Sequence, residues 1–169
     1  SVLKPGESGL LALDWNNGNR CTLVDPMLTG LMVGMTLHTS RAEMYRALIE
    51  GTAFGAKRII DRLEETGVTI SEVINCGGIA EKDAMFMQIY ADVLNCRMVI
   101  SGSAQTCALG AAIFGAIVAG EYESVAAAQE DIVSFKDKVF DPIPENVEAY
   151  NKLYEQYQAL GGFVEEQTS

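Results

Sequence analysis

Cys76–Arg97 reads CGGIAEKDAMFMQIYADVLNCR, a glycine pair set between an apolar run and one amphipathic stretch, and its reading decides the fold class. The preceding run, Ser71–Cys76 (SEVINC), is short and apolar enough for a buried strand. Gly77 and Gly78 let the chain turn without a Cβ clash and let the backbone approach a flat ligand closely. From about Ala84 to Leu94, Phe86, Ile89, Tyr90 and Val93 recur at helical spacing, and Arg97–Ser101 (RMVIS) returns as a strand. Strand, helix, strand makes a parallel crossover unit, in which ligands sit at the carboxyl ends of the strands. The glycine pair lies at such an end, with Lys82, Asp83 and Gln88 supplying polar atoms beside it. Two glycines can equally be a plain strand-to-helix joint, and this stretch alone leaves both readings open.

Upstream, Leu10–Leu13 and Arg20–Val24 flank an Asn-Gly step at Asn17-Gly18 and predict a β-hairpin. Gly30–Leu37 (GLMVGMTL) fits a third, largely buried strand, with Gly34 marking a bulge or a close crossing. Ser40 and Glu43 have the spacing of a capping box, so a long helix begins at Arg41 and runs to about Glu65, with Gly67 as its terminator. Met44, Leu48, Ile59 and Leu63 repeat on one face of it. Gly51 and Gly55 are costly inside a helix, which points to another backbone packed close against them.

Downstream, Ser103, Gln105 and Thr106 stand ready to cap the helix Cys107–Ala119 or to meet a ligand at its positive end. That helix is apolar throughout, too short to span a bilayer, and is expected to be buried. A short helix near Val125–Glu130 follows, then Phe135–Phe140. Val147, Tyr150, Leu153, Tyr154, Tyr157 and Leu160 mark a final amphipathic helix closed by Gly161-Gly162, its aromatic stripe a docking face. No repeat or long linker divides residues 1–169, so the chain reads as one domain.

The chain has 169 residues, 49% of them hydrophobic, and a net charge of -11 from 23 acids against 12 bases. That supports a real core and argues against nucleic acid or an anionic membrane as partner, because phosphate surfaces need a cationic footprint. Cys21, Cys76, Cys96 and Cys107 lack metal or disulfide spacing and read as reduced, mostly buried thiols of a cytoplasmic protein. With His38 the single histidine, zinc has no ligand set. No nucleophile, acid or base has a spaced partner, and no Walker loop occurs. Asp14, next to Trp15 in a polar turn, could face a cleft, and its more ordinary reading is a turn carboxylate capping backbone amides. The GGIAEK run also lacks the glycine spacing of a dinucleotide fold.

The run CGGIAEKDAMFMQIYADVLNCRM, followed by AQTCALGAAIFGAIVAG, resembles the C-terminal domain of the FGGY family of carbohydrate kinases, and the likeness extends from about Leu10 to Tyr157. The resemblance implies an α/β, ribonuclease H-like (actin-like ATPase) domain with a mixed sheet flanked by helices. It implies the nucleotide-side half of a two-domain sugar kinase, closing with an N-terminal kinase domain around MgATP and a ketopentose. Gly77 and Gly78 carry over as the backing of adenosine. Where the family often has a nucleotide-contacting asparagine, this chain has Asp83, with Lys82 the neighbouring choice. Catalytic and sugar-binding residues belong, by the resemblance, to upstream segments, so none is assigned here and the chain alone is expected to be inactive. The polar lead SVLKPGES fits a domain cut from a longer chain or a processed start. Two other readings stay open: a kinase for another ketose or polyol, and an actin-like module without chemistry whose tyrosine face serves assembly. A homo-oligomer is compatible with each.

Overall fold

The computed structural model describes residues 3–168. In chain order the elements are β1 (Leu11–Leu13), β2 (Leu31–Val33), α1 (Arg41–Glu65), β3 (Glu72–Asn75), α2 (Gly78–Lys82), α3 (Ala84–Leu94), β4 (Arg97–Ser101), α4 (Thr106–Val118), α5 (Val125–Ile132), β5 (Phe135–Phe140) and α6 (Pro144–Thr168). The mixed sheet has the order β3-β4-β5: β3 runs parallel to β4, as the crossover unit requires, and β5 is antiparallel to β4.

Local chemistry sets the ends of the two helices that frame the glycine bend. Ser40 Oγ accepts from the Glu43 amide while the Glu43 carboxylate accepts from the Ser40 amide, a complete capping box at the start of α1. Gly67, at φ +89, turns the chain after its last residue. Asp83 caps α3 through the Phe86 amide, and Asn95 ends it in the left-handed region.

Packing departs from the sequence pattern in several places. β1 pairs with β2, in the register Leu11↔Val33 to Leu13↔Leu31, and not with Arg20–Val24. The turn at Gly18 forms, at φ +74, but Asn19 Oδ1 then accepts from the Thr22 amide, the Thr22 hydroxyl and the Leu23 amide, holding the next residues in a loop that competes with a ladder. The third strand is short and not buried: Gly34 ends it at φ +89 with its Cα against the Gly9 carbonyl, and Met35 and Leu37 are exposed.

On α1 the apolar stripe Met44, Leu48, Ile59 and Leu63 is exposed, and the buried face carries Arg46, Ala47, Ile49, Glu50, Gly51, Ala53 and Phe54. Burial of Arg46 and Glu50 is possible because they pair at 2.7 Å and both bond the Tyr150 hydroxyl, at 2.7 and 3.0 Å. Gly51 faces the Ala12 backbone, where an added Cβ would lie 2.7 Å from the carbonyl oxygen. Gly55 instead makes room for the Asp14 carboxylate.

The tyrosine stripe of α6 docks inside the molecule. Tyr150, Tyr154 and Tyr157 are buried around Phe54, with ring centroids 5.4 to 6.0 Å away. An assembly role for that face is thereby overturned. α6 also continues through Gly161-Gly162, because Gly161 seats the Trp15 ring, which a Cβ would meet at 2.8 Å. Asp92 anchors the start of α6, accepting from the Ile143 amide and from Asn146, both at 2.8 Å. Contrary to expectation, Cys21, Cys76 and Cys107 are exposed and only Cys96 is buried, and α4 buries Ile113 alone. None of the helices is long and apolar enough to cross a membrane, among the described residues.

Asp14 does more than cap its own turn, since it also borders a cavity. Its carboxylate accepts from the Tyr157 hydroxyl at 2.7 Å, and burial pushes it above its ordinary 3.8, opposed by that bond and by Arg58. The fold therefore favours the protonated acid, and this contribution is fully present below pH 3.8 and lost as pH rises through the higher folded value. Asp14→Asn keeps an acceptor for Tyr157 and cannot ionise. Its urea midpoint should gain on that of the unsubstituted chain as pH climbs from 3.8 toward neutrality; a constant gap across that range contradicts burial as the cause.

Candidate functional site

The glycine bend opens onto a cavity of about 590 Å³ lined by Tyr45, Leu48, Ile49 and Thr52 of α1, Gly78, Ile79 and Lys82 of α2, and Asp83 and Phe86 at the start of α3. That is within the volume range of small-molecule and cofactor sites. Gly77 sits just outside the wall at φ +94, a conformation that favours glycine. Gly78 has an ordinary helical start, yet a Cβ built on either glycine meets no heavy atom within 4 Å. The bend is thus empty of the chain's own side chains, and nothing in the chain's packing demands glycine at 78.

The walls are mostly apolar, and the ring of Phe86 is stacked on Tyr90 at 4.5 Å with 20° between planes. The polar groups are few. The Thr52 hydroxyl donates to the Ile49 carbonyl at 2.7 Å and is also hydrogen-bonded with Tyr90. Asp83 uses Oδ1 to cap α3, at 3.0 Å from the Phe86 amide, which leaves Oδ2 for another partner. Lys82 is exposed and, among the described residues, makes no ion pair, whereas its neighbour Glu81 bonds Lys136 of β5 at 3.0 Å and so ties α2 to the sheet. Cavity geometry thus brings Gly78, Lys82 and Asp83 together and leaves Gly77 behind them. Gln88 lies elsewhere, bonded to Asp92 and to the Asp141 carbonyl.

Sequence reasoning missed the α1 wall. Tyr45, Leu48 and Thr52 are about thirty residues upstream of the bend, and the only available signal was an apolar stripe that looked like core. Thr52 also borders a second cavity of about 480 Å³, lined by Asp14, Asn17, Arg20 and Tyr90 among others. At the start of α4, Ser103 Oγ accepts from the Gln105 amide at 3.1 Å, while Gln105 itself makes no side-chain cap. Among the described residues no group of three His, Cys, Asp or Glu side chains converges as a metal site.

The architecture, a mixed sheet flanked by helices with a cleft at a strand's carboxyl end, is that of the actin-like ATPases. Xylulose kinase from Lactobacillus acidophilus superimposes with a TM-score of 0.87 over 97% of this chain and 33% of its own, at 24% identity. Glycerol kinase from Plasmodium falciparum, solved with ADP, superimposes at 0.70 over 89% of this chain and 31% of its own, at 24% identity. Residues 2–119 match the C-terminal domain of the FGGY family of carbohydrate kinases, and the chain belongs to that family. Among its relatives, the ribulokinases of Geobacillus thermodenitrificans and Bacillus licheniformis are 51% and 53% identical over 95% and 94% of this chain. The chain spans 29% of the length of each.

Capping and ligand contact by Asp83 are separable, because serine caps a helix as well as aspartate does. Asp83→Ala should cost about 1 kcal/mol of stability through loss of the cap. Asp83→Ser should restore that stability and leave any nucleotide defect in place. Full recovery of both stability and nucleotide binding in Asp83→Ser contradicts a ligand role for the carboxylate.

Proposed function

We propose that residues 1–169 form one domain, the adenosine-binding half of an ATP-dependent sugar kinase, and that the parent protein converts ATP and L-ribulose to ADP and L-ribulose 5-phosphate in the cytoplasm. The observation that carries the nucleotide reading is Gly78. Glycine loses more chain entropy on ordering than any other residue, and no atom of the chain within 4 Å accounts for one at the first position of α2. A purine lying against the backbone, with Leu48, Ile49, Ile79 and Phe86 as apolar walls, does explain it.

The residues present fit adenosine: the seat is apolar, with a free Asp83 oxygen and the Lys82 ammonium near its mouth. When bound, ATP supplies the phosphoryl group and the leaving diphosphate. This chain positions the nucleotide and walls it from water, which favours transfer to the sugar over hydrolysis. Proton removal from the sugar hydroxyl, sugar binding and the Mg²⁺ that accompanies ATP are assigned to the N-terminal domain. The ketose is taken as ribulose because relatives at 51% and 53% identity are ribulokinases, whereas the xylulose kinase likeness rests on 24% identity.

In the full-length kinase, Gly78→Val should raise the KM for ATP about tenfold, equal to ~1.4 kcal/mol of binding, and leave the KM for the sugar within about twofold. Equal effects on both substrates contradict the adenosine role. The purified 169-residue chain should phosphorylate no ketopentose, and measurable turnover by it would overturn the division of labour.

A further inference from the structure

The short helix α2, which carries Gly78 and Lys82 of the cavity wall, has little of its own to hold it in place. A single helical turn is not stable alone, because nucleation fixes several residues for one hydrogen bond. Its N-cap, Gly77, offers no side-chain bond and enters at φ +94, and Ile79 is exposed. Ala80 is the one residue it buries. At its other end Asp83 closes α2 and caps α3, so the two helices share a joint. Among the described residues, the only polar side-chain tie of Gly78–Lys82 is Glu81 to Lys136, at 3.0 Å.

Lys136 reaches Glu81 because β5 departs from its ladder there. Between the pairs Val99↔Val139 and Ser101↔Phe135, β5 sets Lys136, Asp137 and Lys138 opposite Ile100 alone. Such a bulge bends the strand and re-aims its side chains. Ser101 is the carboxyl end of β4, and Asn75 pairs with Ile100, so the bulge stands at the edge of the sheet from which the glycine bend leaves β3. Lys138, by contrast, lies over the Phe140 ring. The Glu81–Lys136 pair thus spans from β5 across the end of β4 to α2. Water reaches both side chains, so the pair adds little to global stability and its effect is local. Neither residue lines the cavity.

We infer that Glu81 and Lys136 are positioning residues for ATP: the pair is a strut that fixes α2 against the sheet and so sets Gly78 and Lys82 at the spacing from the α1 wall that a purine fills. The inference rests on the reading of the glycine bend as the adenosine seat. Removal of either charge loosens α2, which weakens ATP binding and leaves the sugar and the chemical step alone.

In the full-length kinase, Glu81→Gln and Lys136→Met should each raise the KM for ATP about fivefold, with kcat and the KM for the sugar within about twofold and the urea midpoint unchanged. The exchanged pair, Glu81→Lys with Lys136→Glu, should bring the KM for ATP back to within about twofold of the unsubstituted enzyme. The signs separate position from field. A merely electrostatic influence on the polyphosphate makes Glu81→Gln bind ATP more tightly and Lys136→Met less tightly, and that pattern overturns the strut. So does an unchanged KM for ATP in both variants, a defect that the exchanged pair does not repair, or a parallel loss of kcat, both KM values and stability. Gly78→Val serves as the reference. Where it raises the KM for ATP and the strut variants do not, the strut alone fails; where it too leaves the KM for ATP unchanged, the adenosine seat fails and the strut's role in binding fails with it.

Discussion

The buried pair Arg46–Glu50, closed by the Tyr150 hydroxyl, fixes the rotation of α1, and the rest of the molecule is arranged around that choice. A buried ion pair adds little net stability against an apolar alternative, but exposing one partner without the other is costly, so the pair acts as a register pin. Burial and the neighbouring Glu50 carboxylate push the Tyr150 hydroxyl far above its usual range, so it remains a neutral donor. With Arg46, Glu50 and Phe54 turned inward, Tyr45, Leu48 and Thr52 are turned toward the glycine bend. The same rotation sets Gly51 against the β1 backbone. One helix thereby builds the core on one side and a cavity wall on the other.

Glycines in this chain divide by what would occupy the missing Cβ. At Gly51, Gly55 and Gly161 the space belongs to other parts of the chain: the Ala12 carbonyl, the Asp14 carboxylate and the Trp15 ring. At Gly77 a positive φ is reason enough. Gly78, Gly110, Gly115 and Gly162 have neither reason, since their surroundings are open. Gly78 lies at the cavity, Gly110 and Gly115 on the uncovered helix, and Gly162 on α6 beside a separate cavity. The chain makes sense of its own glycines where it packs on itself or turns through a positive φ, and the rest face outward.

Much of the local structure was legible. The Ser40/Glu43 spacing and Gly67 bracketed α1, and the glycine bend followed by a periodic run placed α3 and the parallel β3–β4 unit, because capping and turning are local chemistry. Long-range pairing was not legible: β1 passes over Arg20–Val24 for Leu31–Val33, since Asn19 holds the intervening residues in a turn. Apolar periodicity also misassigned the faces of α1, because Arg46 and Glu50 become buriable only with a tyrosine from a helix about a hundred residues away. The same limit hid half of the cavity. Glycines 77 and 78 announce a bend, but no local pattern says that Tyr45, Leu48 and Thr52 stand opposite it.

The central claim is that a purine rests on the glycine bend with α1 as its far wall. Photolabelling the full-length kinase with 8-azido-ATP and mapping the adducts by mass spectrometry tests it most directly. The account predicts adducts on peptides carrying Tyr45–Thr52 or Gly78–Phe86, suppressed by excess ATP. Suppressible adducts found only outside these two segments, for instance along Asn17–Thr22, would contradict it.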